Sequence, residues 1–154
     1  MQDSLFDEIP TQPLSVVMYC DGGSRGNPGP AGVGAVVFDS DDRSVILAEV
    51  SACIGIATNN VAEYKAMLAG LDAASEIGAT EITVRADSKL LIEQVKGNYK
   101  VKHPGLQPLH AEAVRKLKRF DRVVLEHVRR EFNREADALV NKALDAEQAA
   151  GRAR

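Results

Sequence analysis

Three apolar, β-branched segments follow one another closely at the start of the chain, and this feature constrains the fold more than any other. They are SVVMYCD (15–21), GVGAVVFDS (32–40) and RSVILAEVSACIGIA (43–57). Such residues are enriched in strands, and the SDDR connection between the last two segments has the length of a hairpin turn. The sequence therefore predicts three consecutive strands that pair as an antiparallel meander.

Helices alternate with strands in the rest of the chain. Alanines recur at helical spacing in TNNVAEYKAMLAGLDAASEIGA, where Thr58 or Asn59 can cap the start of a helix and Gly78 can stop it. Strands are predicted at 81–87 and 121–129, and further helices at 88–97, 106–119 and 133–151. The order βββαβααβα predicts an α/β fold with a five-stranded mixed sheet, three antiparallel strands then two parallel ones, flanked by helices.

Length and composition are those of one domain with its own core. The 154 residues are 45% hydrophobic and 27% charged. We expect residues 1–13 to be a disordered tail, 14–146 to form the domain, and 147–154 to be a frayed end or a linker. Neither a membrane span of roughly 18 apolar residues nor a secretory signal is expected. We therefore expect a cytoplasmic monomer without membrane contact, in which Cys20 and Cys53 are buried and reduced.

The overall charge is a weak guide to partners. A net charge of −3 and a pI of about 5.6 argue against nucleic-acid binding, because most binders carry a basic excess. However, residues 115–134 are rich in Arg and Lys, while the acids concentrate elsewhere. Net charge is therefore uninformative if carboxylates gather at one site.

Four acidic residues stand where functional groups collect in an α/β sheet. Asp21 and Asp87 end predicted strands, and Glu63 and Asp137 lie in the first turns of predicted helices. If the first and fourth strands are parallel neighbours, Asp21 and Asp87 face one crevice. Clustered carboxylates repel one another, and hard divalent cations such as Mg²⁺ relieve this repulsion. For any single acid, a helix cap or a solvated charge is the simpler interpretation.

Four segments, taken in order, resemble type 1 ribonuclease H. They are CDGGSRGNPGPAGVGAV, ATNNVAEYKAMLAGL, VRADSKLLIEQVKG and FNREADALVNKAL, and they extend from about Val16 to Leu144 in the family's order and spacing. The family's D-E-D-D quartet falls on the same four acids. The resemblance implies endonucleolytic hydrolysis of the RNA strand of an RNA/DNA hybrid, which leaves 5′-phosphate and 3′-hydroxyl ends.

The resemblance also implies a two-metal mechanism in which a metal-activated water attacks the phosphorus. Two Mg²⁺ ions are expected, and Mn²⁺ is expected to substitute for them. Asp21 would bridge both ions, Glu63 and Asp87 would share the ion on the water side, and Asp137 would hold the ion on the leaving-group side. Such a pair of ions, about 4 Å apart, clamps the attacking and leaving oxygens of an in-line displacement.

Selectivity for RNA in the cut strand must come from 2′-hydroxyls read in the shallow minor groove. The resemblance implies that the glycine-rich segment and the TNN segment read them, with glycine required so that the backbone can approach the sugar. The expected hybrid-binding residues are Gly22, Gly23, Ser24, Asn27, Thr58, Asn59, Asn60, Lys89 and Tyr99. Thr58 and Asn60 are candidates for a phosphate of the DNA strand. Helix capping is the alternative role for Asn59 and Asn60.

The chain departs from the family pattern in two places. Many relatives carry a histidine in the loop before the last acid, whereas this loop reads VRREFNREAD, and Arg130, Glu131 and Glu135 are candidates to replace it. Some relatives also carry a basic protrusion with tryptophans, and this chain has no Trp. The residues expected to form a reduced substitute are Lys96, Tyr99, Lys100 and Lys102.

The N-terminal peptide QDSLF resembles the short motif by which bacterial replication and repair proteins bind the sliding clamp. Leu5 and Phe6 would fill an apolar pocket, and Gln2 would form hydrogen bonds at its rim. This resemblance implies the sliding clamp as a second partner besides the hybrid.

Three other functions are compatible with parts of the sequence. A catalytically silent hybrid-binding module would gain nothing from four mutually repelling acids. A second alternative is a nuclease of the same broad fold that acts on other DNA or RNA substrates. The TNN and glycine segments favour recognition of a hybrid over this alternative. A dinucleotide-binding enzyme is excluded because the glycine segment lacks G-x-G-x-x-G spacing and leads into a strand instead of a helix.

Overall fold

The computed structural model describes residues 13–153 and confirms the predicted order of elements. The strands are β1 (Leu14–Ser24), β2 (Gly29–Asp39), β3 (Ile46–Ala57), β4 (Ala79–Ala86) and β5 (Arg122–His127). The helices are α1 (Asn59–Glu76), α2 (Lys89–Lys96), α3 (Gln107–Leu117) and α4 (Arg134–Ala153), and a 3₁₀ turn (Arg130–Phe132) precedes α4. The QDSLF peptide lies outside the described residues, so clamp binding stays a prediction.

One mixed sheet contains all five strands in the order β3-β2-β1-β4-β5. The β1–β2 and β2–β3 pairs are antiparallel, whereas β1–β4 and β4–β5 are parallel. The predicted meander and the two parallel strands are therefore confirmed. Because β4 lies directly beside β1, the carboxyl ends of these two strands meet at one edge of the sheet.

Both faces of the sheet centre are covered. Met18 and Cys20 of β1 face the core beneath α1, while Val17 and Tyr19 face the opposite side, where α4 packs on β1, β2 and β3. Burial on both faces explains why β1 is an almost continuous apolar run. Asp21 follows Tyr19 by two residues, so its side chain starts from the α4 face.

One predicted burial is wrong. Cys20 is buried, but Cys53 is exposed, because it lies on the edge strand β3, which has a neighbour on one side only. Its Sγ lies 3.1 Å from the carbonyl oxygen of Ala143 on α4. Among residues 13–153, none of the helices combines the length and the apolar character needed to cross a bilayer.

Candidate active site

The register of β1 and β4 brings Asp21 and Asp87 together. The parallel ladder ends at the pair Cys20–Ala86. Asp21 follows Cys20 directly in the sequence, and Asp87 follows Ala86. On its other side β1 remains paired with β2 as far as Ser24, so Asp21 lies within the strand. The prediction that Asp21 ends its strand was wrong, because the glycines after it continue the antiparallel ladder. The predicted common crevice is confirmed.

Glu63 reaches the same edge from α1. It is the fifth residue of the helix and so lies past the predicted first turn, because Thr58 is the cap and accepts a hydrogen bond from the Val61 N–H (3.2 Å). The N–H of Gly22 donates to Glu63 Oε1 at 3.2 Å. This bond ties the carboxylate of α1 to the backbone directly after Asp21.

The close approach of α1 to β1 requires glycine at position 22. A Cβ at Gly22 would lie 2.1 Å from the carbonyl oxygen of Ala62, whereas a Cβ at Gly23 would meet nothing within 4 Å. The family resemblance implies that both glycines let the backbone approach a ribose. The structure gives Gly22 a packing reason of its own, since its missing side chain leaves room for the helix that carries Glu63.

We expect Gly22→Ala to destabilise the protein by about 1–3 kcal/mol or more, because the clash is with backbone and α1 must move. Displacement of Glu63 would also lower divalent-ion affinity. Gly23→Ala is the matched control and should change stability by less than about 1 kcal/mol. Thermal unfolding of both variants checks this; equal destabilisation by the two would contradict the packing role.

Asp137 comes from the first turn of α4, as predicted. Asn133, directly before this helix, is fully buried, and its Nδ2 donates to the carbonyl oxygen of Cys20 at 2.9 Å. A Cβ at Gly34, the β2 partner of Asp21, would lie 2.3 Å from the Ala136 carbonyl oxygen. The start of α4 is therefore fixed against the strand pair that carries Asp21. Sequence reasoning missed Asn133, which it counted as the first residue of the helix, because the side-chain bond to Cys20 joins positions far apart in the sequence.

Three of the four acids form a compact cluster. Asp21, Glu63 and Asp87 can each offer one carboxylate oxygen such that these oxygens lie within 4.8 Å of one another. Asp137 is not part of this triplet, but it lines the same cleft of about 540 Å³. The structure thus places all four acids around one cavity at the sheet edge.

Burial and mutual repulsion strongly perturb this cluster. Burial, reinforced by the charges of Glu63 and Asp87, raises the pKa of Asp21 from 3.8 to about 9. Burial is also the main cause that raises the pKa of Glu63 from 4.5 to about 7. Without a cation, the cluster therefore retains protons near neutral pH. A divalent ion would replace them.

The donor set fits a hard divalent cation. The cluster offers carboxylate oxygens, which are the ligands that Mg²⁺ and Mn²⁺ prefer. The nearby Cys20 thiol is buried, and its Sγ lies 3.9 Å from the carbonyl oxygen of Arg85. Asp21, Glu63, Asp87 and Asp137 could therefore hold metal ions of this kind.

The residues expected to read the hybrid are joined to one another. The backbone N–H and the hydroxyl of Ser24 both donate to Asn59 Oδ1, at 2.9 and 3.0 Å, and the Asn59 N–H donates to Asn27 Oδ1 at 3.1 Å. These bonds fix the β1–β2 turn against the start of α1. Gly22, Gly23, Ser24 and Asn59 line the acidic cleft.

The other expected binding residues do not line that cleft. Asn27, Thr58 and Asn60 line a second pocket of about 290 Å³ together with His103 and Leu106. Lys89, the first residue of α2, is exposed, and so is Tyr99 (43%). Asn27 of the β1–β2 turn therefore lies together with the TNN segment. Lys89 and Tyr99, which follow Asp87 in the sequence, lie on the surface.

The loop before α4 supplies an arginine to the cleft. Of the three candidates for the place of the absent histidine, Arg130 lines the acidic cleft. Glu131 and Glu135 instead line a separate pocket with Tyr19 and Arg43. Arg25, which sequence reasoning did not single out, also lines the cleft. Its position directly after Ser24 was the available signal.

The mixed sheet and its acidic edge define the class of the protein: a domain of the ribonuclease H fold with a cluster that could hold metal ions. A family model described as "Reverse transcriptase-like" matches residues 19–143. The solved RNase H1 of the halophilic archaeon Halobacterium salinarum is 45% identical, with a TM-score of 0.83, over 86% of this chain and 98% of that one. LC11-RNase H1, solved in complex with an RNA/DNA hybrid, is 42% identical, with a TM-score of 0.81, over 86% and 99% of the two chains.

The chain therefore belongs to the type 1 ribonuclease H family. Among curated proteins it is 53% identical over 133 residues to the bifunctional protein Rv2228c of Mycobacterium tuberculosis, which covers 86% of this chain. The chain spans only 36% of the length of that relative.

Proposed function

We propose that this chain hydrolyses the RNA strand of RNA/DNA hybrids with two divalent metal ions and leaves 5′-phosphate and 3′-hydroxyl ends. The observation that carries the proposal is the convergence of Asp21, Glu63 and Asp87 within 4.8 Å, in one cleft with Asp137. Three partly buried carboxylates that repel one another are costly unless cations bind there, which favours a metal-dependent reaction over a passive binding module. The hybrid bound to the related LC11-RNase H1 supports the substrate.

The family resemblance assigns a role to each acid. Asp21, which forms one cluster with Glu63 and Asp87 and shares the cleft with Asp137, would help to hold both ions, and the other three acids would each hold one of them. When bound, Mg²⁺ or Mn²⁺ would lower the pKa of the attacking water and neutralise charge on the phosphate. The Gly22 N–H bond to Glu63 and the Asn133 bond to β1 hold α1 and α4 in place, so little reorganisation is required.

The turn between β1 and β2 is the proposed site of sugar recognition. Space around Gly23 is open, so its backbone can approach a ribose edge in the minor groove. Ser24 and Asn59 lie beside it and offer polar atoms to a 2′-hydroxyl. Arg130 lines the cleft with the acids and would contact a phosphate near the cut.

A comparison of substrates and metals tests the proposal. Hybrid, duplex DNA and duplex RNA of one sequence, each end-labelled, are incubated with Mg²⁺, Mn²⁺ or a chelator. We expect cleavage of the hybrid RNA with either metal and none in chelator, and loss of cleavage in Asp87→Asn. Hybrid cleavage in chelator, or by Asp87→Asn at the wild-type rate, would refute the metal-dependent mechanism.

A further inference from the structure

Arg25 forms a latch between the β1–β2 turn and α4. Its Nη2 lies 2.7 Å from Asp145 Oδ1 and 3.4 Å from Asn141 Oδ1, and its Nη1 lies 3.1 Å from Gln148 Oε1. The three acceptors are spaced by three and four residues, so they lie on one face of the helix. One guanidinium therefore engages two successive turns of α4.

Further hydrogen bonds hold the turn internally and against α1. The Arg25 N–H donates to the carbonyl oxygen of Pro30 at 2.8 Å, and Asn27 and Ser24 are bonded to Asn59 of α1. The turn is therefore anchored to α1 on one side and, through Arg25, to α4 on the other. Movement of the Arg25 side chain would release only the second anchor.

The far end of α4 is exposed as far as its side chains are described. Among residues 134–151, Leu144 is the last buried one, and residues 145–151 are exposed. The sequence predicted a frayed end or a linker from residue 147. That expectation stays a prediction; the described helix extends to Ala153, and Asp145 and Gln148 connect this part of it to the turn through Arg25.

The latch also approaches the acidic cluster. Asn141 Nδ2 lies 3.5 Å from Asp137 Oδ2, so a chain of polar contacts leads from Asp137 through Asn141 to Arg25. Both Arg25 and Asn141 line the acidic cleft. The turn that faces the substrate and the helix that carries the fourth acid are thus joined at the cleft rim.

We propose that Arg25 is a positioning residue for hybrid binding, and that Asp145 and Gln148 belong to the substrate-binding apparatus because they hold it. The latch sets the distance of the β1–β2 turn from α4, and therefore the width of the cleft that receives the minor groove. This inference rests on the proposed function. Its consequence is that the last turns of α4 affect KM although they touch neither substrate nor metal.

Steady-state kinetics of Arg25→Ala, Asp145→Ala and the double variant test the latch. An exposed ion pair is worth up to about fivefold in an equilibrium constant, so we expect KM for the hybrid to rise about threefold to fivefold in each single variant, with kcat within about twofold. The double variant should be no worse than Arg25→Ala, because the contact that Asp145 makes with Arg25 is already lost when Arg25 is replaced. Arg119→Ala is the control, since it removes an exposed ion pair to Asp72 between α3 and α1 and should leave KM unchanged.

Other outcomes would overturn the latch. A lower KM in Asp145→Ala with a higher KM in Arg25→Ala would mean that Arg25 binds phosphate directly and that Asp145 competes for it. Unchanged KM in both would mean that the contact is only a surface pair. Hydrogen exchange of the 25–27 amides gives a readout independent of activity: Asp145→Ala should accelerate it, and unaltered exchange would contradict the latch even if wild-type cleavage of hybrid failed.

Discussion

Asp21→Asn is expected to abolish hybrid cleavage and, at the same time, to stabilise the metal-free protein. Loss of the Asp21 carboxylate should lower the single-turnover rate by at least about 10²- to 10³-fold, the range seen when a preorganised electrostatic group is removed. The same substitution removes the cost of keeping Asp21 protonated at pH 8, because burial and the charges of Glu63 and Asp87 raise its pKa to about 9 in the fold while the unfolded carboxyl is ionised. We therefore expect the melting temperature in chelator at pH 8 to rise by about 3 °C or more.

Asp121→Asn is the matched control for this prediction. Asp121 is an exposed acid between α3 and β5, outside the cleft. Its replacement should change neither the cleavage rate nor the melting temperature beyond small effects. A variant Asp21→Asn that melts below the wild type in chelator would show that the cluster does not destabilise the metal-free fold.

The second large effect is a loss of stability of the metal-free protein as the pH rises. The pKa of Asp21 is raised from 3.8 to about 9 and that of Glu63 from 4.5 to about 7, so the folded state binds these protons more tightly than the unfolded chain. Their contribution to stability is fully present below about pH 4 and is lost progressively up to about pH 9. The destabilised state at pH 8 is the one that a divalent ion should rescue.

Denaturant unfolding at several pH values, with and without Mg²⁺, measures this effect. The difference in the free energy of unfolding between the wild type and Asp21→Asn separates the contribution of the cluster from that of other titrating groups. We expect stabilisation by Mg²⁺ to be small at pH 5, where protons compete with the ion, and large at pH 8. Equal stabilisation at both pH values would contradict the proton-for-metal exchange.

Much of the fold could be predicted from the sequence, because local patterns determine it. The short connections in the first 57 residues permit only antiparallel pairing, and the helical spacing from Thr58 to Gly78 requires a crossover to the next strand. These two facts predict that β4 joins the sheet as a parallel strand; its place beside β1 was a condition of the sequence analysis, and the strand order meets that condition. They also explain why Asp21 and Asp87 were expected in one crevice before any distance was known.

Other features depend on contacts between distant segments, and the sequence alone did not reveal them. The need for glycine at position 22 comes from the approach of Ala62, forty residues later. Cys53 looks like a core residue in an apolar run, but its strand lies at the sheet edge. The contact of Arg25 with Asp145 joins residues that no local pattern connects.

The measurement that tests the central claim most directly uses an RNA/DNA hybrid labelled on both strands. With Mg²⁺, we expect the RNA strand to be cut internally into fragments with 5′-phosphate and 3′-hydroxyl ends, while the DNA strand stays whole. With chelator, both strands should stay whole. Cleavage of the DNA strand, or RNA fragments with 3′-phosphate ends, would contradict hydrolysis by a two-metal cluster built from these four acids.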